Sequence, residues 1–320
     1  MRGKRRSRRA DEDDSMRILV TGASGFVGRH LVASLRGEDK SVMVLSRGGG
    51  EGSDATTVVG PADLADIAAG PPWPTGIDAV VHLAAVNPGR GGPVDGDAMR
   101  RANVDGTAAL ARKAVSEGVR RMIFVSTANV HGAGPSTVRE ADDLHPGSAY
   151  ARSKAEAERA FRRTLEGTGM QGCILRPAPV FGQGGRGNVA SLARLARLPV
   201  PLPIAGLGGR RSLVSIDTLV EVIGLCLRSD GADGQTFLVA DDGPVTPAEI
   251  VRALRRGWRR REGVFTLPAG LRSPLSKALA DRGPMADFAL DTGHLVRCTG
   301  WRPGPGSERR LEDMAAAGRL

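Results

Sequence analysis

From Met16 onward, short aliphatic and β-branched runs alternate with longer amphipathic stretches. The runs at Arg17–Val20, Val42–Leu45, Thr57–Val59, Ala79–Leu83, Met122–Val125 and Gly172–Leu175 predict strands, and Thr236–Val239 predicts a later strand of the same sheet. Between them, apolar positions spaced three and four apart predict helices over Phe26–Arg36, Ala98–Glu117 and Tyr150–Glu166. Each helix is followed by a glycine, Gly37, Gly118 or Gly167, the residue that turns left-handed at least cost. Strands that alternate with helices predict an α/β fold, a doubly wound parallel sheet covered on both faces.

After Arg176 the pattern changes. Pro177, Pro179, Pro201 and Pro203, with glycines from Gly182 to Gly187, predict loops and short elements. The expected organisation is a sheet domain over 16–177, completed by a strand near 235–240, and a smaller C-terminal lobe from 178–235 and 241–320. Residues 1–15 form a basic block followed by an acidic block, with no apolar run behind them to make a signal sequence, and are expected to be a disordered tail.

Composition narrows the class. The chain has 320 residues, 41% apolar and 25% charged, which suits a globular protein and excludes wholesale disorder. No apolar run approaches the length of a membrane span, so no integral membrane segment is expected. Three cysteines are too few and scattered for a disulfide framework or a Cys-rich zinc site, which points to a reducing, cytoplasmic setting and no metal. The net charge of +10 reflects an arginine skew, because only five of the 45 basic residues are lysine. With aromatics at 3%, the chain lacks the stacking residues of a nucleic-acid binder, and no nucleic-acid partner is expected. The densest basic stretch, Arg252 to Arg261, reads as a solvated helix face, with attraction to anionic ligands or lipid surfaces as the other reading.

Candidate chemistry begins where the first strand ends, in Thr21-Gly22-Ala23-Ser24-Gly25-Phe26-Val27-Gly28. Glycines at this spacing let the backbone turn sharply and approach a diphosphate, while the helix that follows offers free N–H groups. In a βαβ unit this is the dinucleotide-binding turn of a Rossmann-type sheet, with Gly22, Ser24, Gly25, Phe26, Val27 and Gly28 as cofactor contacts. A carboxylate ending the second strand would favour NAD, but that strand ends Ser46-Arg47, and Arg47 could receive the 2′-phosphate of NADP. Both NAD and NADP stay open. Asp63, after the third strand, is placed to reach the adenine or to stand on the surface.

The chain's single tyrosine, Tyr150, precedes Lys154 by one helical turn, so both emerge on one face. That face continues through Ala157, Phe161 and Leu165, and a lysine on a buried face needs a reason. An ammonium lowers the pKa of a nearby phenol, so the tyrosine can exchange a proton with a substrate oxygen. Thr127, ending the fifth strand, would bond the same substrate oxygen. Asn103 shares a helical stripe with Met99, Gly106 and Leu110, and a buried amide there either braces the active-site backbone or satisfies an ordinary buried hydrogen bond.

Taken in order, TGASGFVG at 21–28, HLAA at 82–85, NVDGT at 103–107, VSTANVHG at 125–132, YARSK at 150–154, RPAPVFG at 176–182, RSLVSID at 211–217 and GWRP at 300–303 resemble the extended short-chain dehydrogenase/reductases. The resemblance is closest to the NAD-dependent epimerase/dehydratase group, which acts on nucleotide-diphosphate sugars. It implies that Thr127, Tyr150 and Lys154 are catalytic and that Leu83, Ala84, Ala85 and Pro177 lie along the cofactor with Asn103. It also implies that the C-terminal lobe binds substrate, with Asn188 and Arg211 as contacts, and that helices Ala98–Glu117 and Tyr150–Glu166 make a homodimer. Ala128-Asn129 stand where sugar dehydratases carry an acidic pair, which argues against dehydration. The expected reaction is NAD(P)H-dependent reduction at C4 of a UDP- or dTDP-4-keto-6-deoxyhexose in bacterial polysaccharide synthesis. The alternatives are a UDP-hexose 4-epimerase, a hydroxysteroid-type or other small-alcohol dehydrogenase, and a non-catalytic dinucleotide sensor.

Overall fold

The computed structural model describes residues 16–38, 40–47, 56–87, 95–132, 136–268 and 287–320. The expected tail at 1–15 lies outside them. Seven strands, β1 (Arg17–Thr21), β2 (Ser41–Ser46), β3 (Thr56–Val59), β4 (Ala79–His82), β5 (Arg121–Val125), β6 (Gln171–Pro177) and β7 (Thr236–Val239), form one parallel sheet in the order β7-β6-β5-β4-β1-β2-β3. Val20 of β1 lies between Val44 of β2 and Val81 of β4, all three buried. Residue alternation sends Ile18 and Val20 to one core and Leu19 to the other. Chain direction across the sheet reverses between β1 and β4, and the carboxyl ends of those strands border the crevice where open α/β sheets take ligands.

Helices cover both faces. α1 (Phe26–Gly37) contributes Leu31 and Leu35 to the core that Ile18 enters. On the opposite face lies α2, built from Gly96–Arg100, a π-helical turn at Arg101–Asp105 and Gly106–Ser116. It is joined there by α3 (Ala149–Leu165), and Leu110 of the one and Phe161 of the other pack against Val80, Met122 and Phe124. Ser148 caps α3 by accepting from the Ala151 N–H at 3.1 Å.

Four differences from expectation have physical causes. The segment after 178, expected to hold loops and short elements, carries α4 (Asn188–Ala196) and α5 (Ile216–Arg228). In α5, the stripe Ile216, Leu219, Val220, Ile223 and Leu227 is apolar enough to bury against α1 and the sheet. The helix expected over 98–117 is interrupted by the π turn. Gly118 and Gly167 turn left-handed at φ +74° and +73°, but Gly37 is the last residue of α1 and has no positive φ, because Glu38 closes that helix with its own N–H. Finally, β6 runs two residues past Leu175, where β7 pairs with it as far as Pro177.

Beyond the sheet, α4 packs on α6 (Pro247–Gly257), which also meets α8 (Ser307–Ala316). The short α7 (Gly293–Thr299) lies against β7. Three parallel strand pairs lie outside the main sheet among the described residues, Val180–Phe181 with Val214–Ser215, Leu202–Ala205 with Val264–Thr266 and Thr137–Val138 with Ala289–Leu290. Buried Arg255 of α6 ties its loops together, donating to the carbonyls of Ala196, Leu198, Val200, Glu262 and Gly263 at 2.8–3.1 Å. No helix among the described residues is long and apolar enough to cross a membrane.

Candidate active site

The turn after β1 is built against the end of β4. Gly22 has φ +72°, and a Cβ there would stand 2.6 Å from the Ala84 nitrogen. A Cβ on Gly28 would stand 2.3 Å from the Gly22 carbonyl oxygen. No side chain caps α1. The N–H groups of Phe26, Val27 and Gly28 precede the first i→i−4 bond of the helix, from Arg29 to Gly25. They present donors and the positive end of a helix dipole to an anion. Ser24 is exposed at the tip of the turn, and Phe26 and Val27 are half-buried.

Behind the turn runs a buried hydrogen-bond chain whose direction is determined by its ends. The Thr107 hydroxyl donates to the Asn103 carbonyl, so it accepts from His82 Nε2 at 3.0 Å. His82 Nδ1 therefore accepts from the Thr21 hydroxyl at 2.7 Å, and Thr21 accepts from the Ala84 N–H at 3.3 Å. This requires a neutral ring. Burial, with the nearby Lys154 charge, pushes the His82 pKa down to about 3.

Asn103, in the π turn, has its whole amide committed. Its oxygen accepts from the Val86 N–H at 2.7 Å, and its nitrogen donates to the Val86 carbonyl and to Ser153 Oγ, each at 2.9 Å. Ser153 in turn donates to the Tyr150 carbonyl at 2.8 Å. One side chain thus holds both the chain leaving β4, where Leu83, Ala84 and Ala85 are half-buried, and the first turn of α3. The extra residue of a π turn re-aims that side chain out of the regular helical stripe.

Lys154 is 2% exposed although it carries an ammonium. It donates to the Val125 carbonyl at 2.7 Å and lies 4.1 Å over the Phe124 ring. Burial pushes its pKa down to about 7, opposed by the Glu158 charge. Tyr150 is half-buried one turn earlier. Thr127 is 9% exposed at the end of β5, where its Oγ accepts from the Asn129 N–H at 3.2 Å and caps the 3-10 turn Ala128–His131.

Glu158, Arg176 and His131 were not singled out from the sequence. Glu158, one turn beyond Lys154, is fully buried and accepts from Arg176 Nη2 at 2.6 Å and Nε at 3.0 Å. Burial pushes its carboxyl up, but the Arg176 hydrogen bonds and charge outweigh that and hold it below the usual range. Arg176 Nη1 donates to His131 Nε2 at 3.0 Å and to the Glu140 carbonyl. Burial and the Arg176 charge push His131 down to about 4. An acidic residue four positions after a buried lysine was the available signal for Glu158. Arg176 had none, because its partner is distant in sequence.

The two histidines predict acid lability. Each is neutral in the fold, whereas in the unfolded chain it takes up a proton below pH 6.5. Their stabilising effect is complete above about pH 6.5 and is lost as pH falls toward the folded values of about 4 and 3. The His82 slope is about 1.4 kcal/mol per pH unit. Urea midpoints measured from pH 7 to 4 are expected to fall, and His82→Gln to flatten part of that dependence.

The remaining expected residues are spread over several elements. Arg47 is exposed at the carboxyl end of β2. Asp63 also lies at that edge, but its carboxylate caps the 3-10 helix Leu64–Ala69 through Ala65 and pairs with Arg101 at 2.7 Å. Pro177 is buried at the end of β6. Asn188 is exposed at the start of α4, and Arg211 is half-buried 4.9 Å over the Phe288 ring.

The donor set fits a dinucleotide: an uncapped helix start for the diphosphate, and a buried ammonium with N–H capacity beyond its bond to Val125 for ribose hydroxyls. Comparison with known proteins agrees. The pattern of the NAD dependent epimerase/dehydratase family matches residues 18–240. A UDP-glucose 4-epimerase from Vibrio cholerae is 31% identical over 316 residues, covering 94% of each chain. Among solved structures, a UDP-N-acetylglucosamine 4-epimerase from Bacillus cereus superimposes with a TM-score of 0.76 at 18% identity, covering 95% of this chain and 99% of its own. RMD from Pseudomonas aeruginosa, complexed with NADPH, gives 0.72 at 22%, covering 95% and 98%. With its glycine turn, its α3 pair and all of its sheet but Arg17 inside the matched span, this chain belongs to the NAD dependent epimerase/dehydratase family.

Proposed function

We propose that the protein acts at C4 of a nucleotide-diphosphate sugar, with Tyr150 exchanging the proton, Thr127 bonding the same oxygen and Lys154 supplying the positive charge. The observation that carries this is the placement of Tyr150 and buried Lys154 on one face of α3, with Lys154 anchored to the last residue of β5 beside Thr127. Gly22, Ser24, Gly25, Phe26, Val27 and Gly28 hold the dinucleotide diphosphate, while Leu83, Ala84, Ala85 and Pro177 line its path. When bound, the dinucleotide supplies the site that accepts or returns a hydride. Tyr150 takes the C4 hydroxyl proton as that bond is oxidised and gives a proton back as the ketone is reduced. Asn103 works through others, holding Val86 and the turn that bears Tyr150. The region beyond β6 forms the substrate lobe, with Asn188 and Arg211 facing the nucleotide sugar, and outward faces of α2 and α3 pair two copies.

For the finer reaction, similarity along nearly the whole chain to a UDP-glucose 4-epimerase supports 4-epimerisation. We therefore put epimerisation ahead of the 4-keto reduction expected from the sequence. Arg47 at the end of β2 supports the reductase reading, because an arginine there suits NADPH. Stoichiometry separates them: an epimerase interconverts UDP-hexoses with no net cofactor use, whereas a reductase consumes one NAD(P)H per product. Consumption of one equivalent per product would reverse the order. Independently, Arg47→Ala is expected to weaken NADPH binding about 10- to 100-fold and leave NADH binding unchanged, as measured by calorimetry.

A further inference from the structure

Five large hydrophobic side chains are more than two-fifths exposed among the described residues, and four of them, Leu195, Leu198, Val200 and Phe265, belong to one region. Buried Arg255 shows how close their segments lie, since its guanidinium bonds the carbonyls of Ala196, Leu198, Val200, Glu262 and Gly263 together. Phe265 follows directly on the strand pairing of Val264 with Leu202. The same region carries five exposed arginines: Arg194, Arg197, Arg259, Arg260 and Arg261.

None of these five has a side-chain carboxylate partner among the described residues. Arg194 donates to the Ser191 hydroxyl, Arg197 to the Leu320 main-chain oxygen, and Arg260 to the Arg197 carbonyl. Arg197 also lies 4.6 Å over the Trp258 ring. By contrast Arg256, on the same helix, is neutralised by Glu262, Glu308 and Glu312. Glu262, the acid nearest the patch, is thereby already taken up by Arg256 and Arg252. Between Arg197, Trp258, Arg259 and Arg260 lies an open cavity of about 500 Å³, enough for a phosphate-bearing headgroup.

We propose that this face docks on an anionic membrane surface, with Leu195, Leu198, Val200 and Phe265 entering the headgroup region and the arginines meeting lipid phosphates. Exposed apolar side chains in the same region as cations that lack side-chain carboxylate partners suit a bilayer interface, where Trp and Arg also sit comfortably. Charge selects this occupant over a second copy of the chain, because a two-fold contact would set five guanidiniums against five. It also selects it over a single-stranded nucleic acid, which needs several stacking rings where this face offers only Phe265 and a Trp258 already covered by Arg197.

The test is co-sedimentation of the full chain with vesicles of phosphatidylcholine containing roughly one-third phosphatidylglycerol, against phosphatidylcholine alone. Binding is expected to the anionic vesicles only, and to weaken with added salt. Each arginine removed from the set Arg259→Gln, Arg260→Gln and Arg261→Gln should weaken it about fivefold, and the triple variant about a hundredfold. Leu198→Ser with Val200→Ser should also release the protein while leaving its far-ultraviolet dichroism and dinucleotide binding intact. No sedimentation with anionic vesicles overturns the proposal. So does binding that the arginine triple leaves unchanged, or binding that survives the Leu198/Val200 change and is matched by heparin, which would mark a polyanion site instead.

Discussion

Replacing Tyr150 with phenylalanine is expected to lower kcat by about 10²- to 10⁴-fold, the range for removing a general acid or base, while the dinucleotide dissociation constant stays nearly the same. The substitution removes one hydroxyl and keeps the ring, so the half-buried packing at the start of α3 survives. In the proposed site the cofactor's holding groups are elsewhere, at the glycine turn and at Lys154, whose ammonium is held by the Val125 carbonyl and the Phe124 ring. Lys154→Met should differ in kind, losing both turnover and dinucleotide affinity, because in the proposed site it removes the cation beside the phenol and a hydrogen-bond donor to the ribose. Single-turnover kinetics beside calorimetric binding distinguish the two variants. Full turnover by Tyr150→Phe would show that the proton comes from another group.

The largest stability effect is expected at Arg176. Its guanidinium is 4% exposed, and its partner Glu158 is 0% exposed. Arg176→Met leaves a buried carboxylate with only the longer Arg162 ion pair at 3.4 Å, and removing one member of such a pair costs about 3–5 kcal/mol. The loss should appear as a lower urea midpoint. The double variant Arg176→Met with Glu158→Leu should recover most of it, because it removes the stranded charge as well. Glu158→Gln alone should be milder, since the amide oxygen still accepts from Arg176. If Arg176→Met proved as stable as the parent, the ion pair would not bind α3 to β6 as the distances indicate.

Much of this was legible in the chain. The strands lie within one or two residues of their hydrophobic runs, because burial on both faces of a parallel sheet leaves an uninterrupted aliphatic signature. Gly22 was legible as well: a residue with φ +72° that touches the backbone of Ala84 can only be glycine. So was the Tyr150/Lys154 pair, since one helical turn places both on one face. Asp63 was half legible. Its position at the carboxyl edge followed from the strand order, but not its pairing with Arg101, which begins 38 residues away.

Local spacing by itself determined the α/β sheet, the glycine turn after β1 and the shared face of Tyr150 and Lys154, because each depends on contacts within a helical turn or a strand period. Tertiary structure alone decided the rest. It brought Arg176 of β6 to Glu158 of α3, and seated Asn103 between Val86 and Ser153 through a π turn. It also joined the 194–200 and 258–265 segments around Arg255. A charge or amide shows by its type that it needs a partner. Which partner it finds is a matter of packing between segments far apart in sequence, and no periodicity records that.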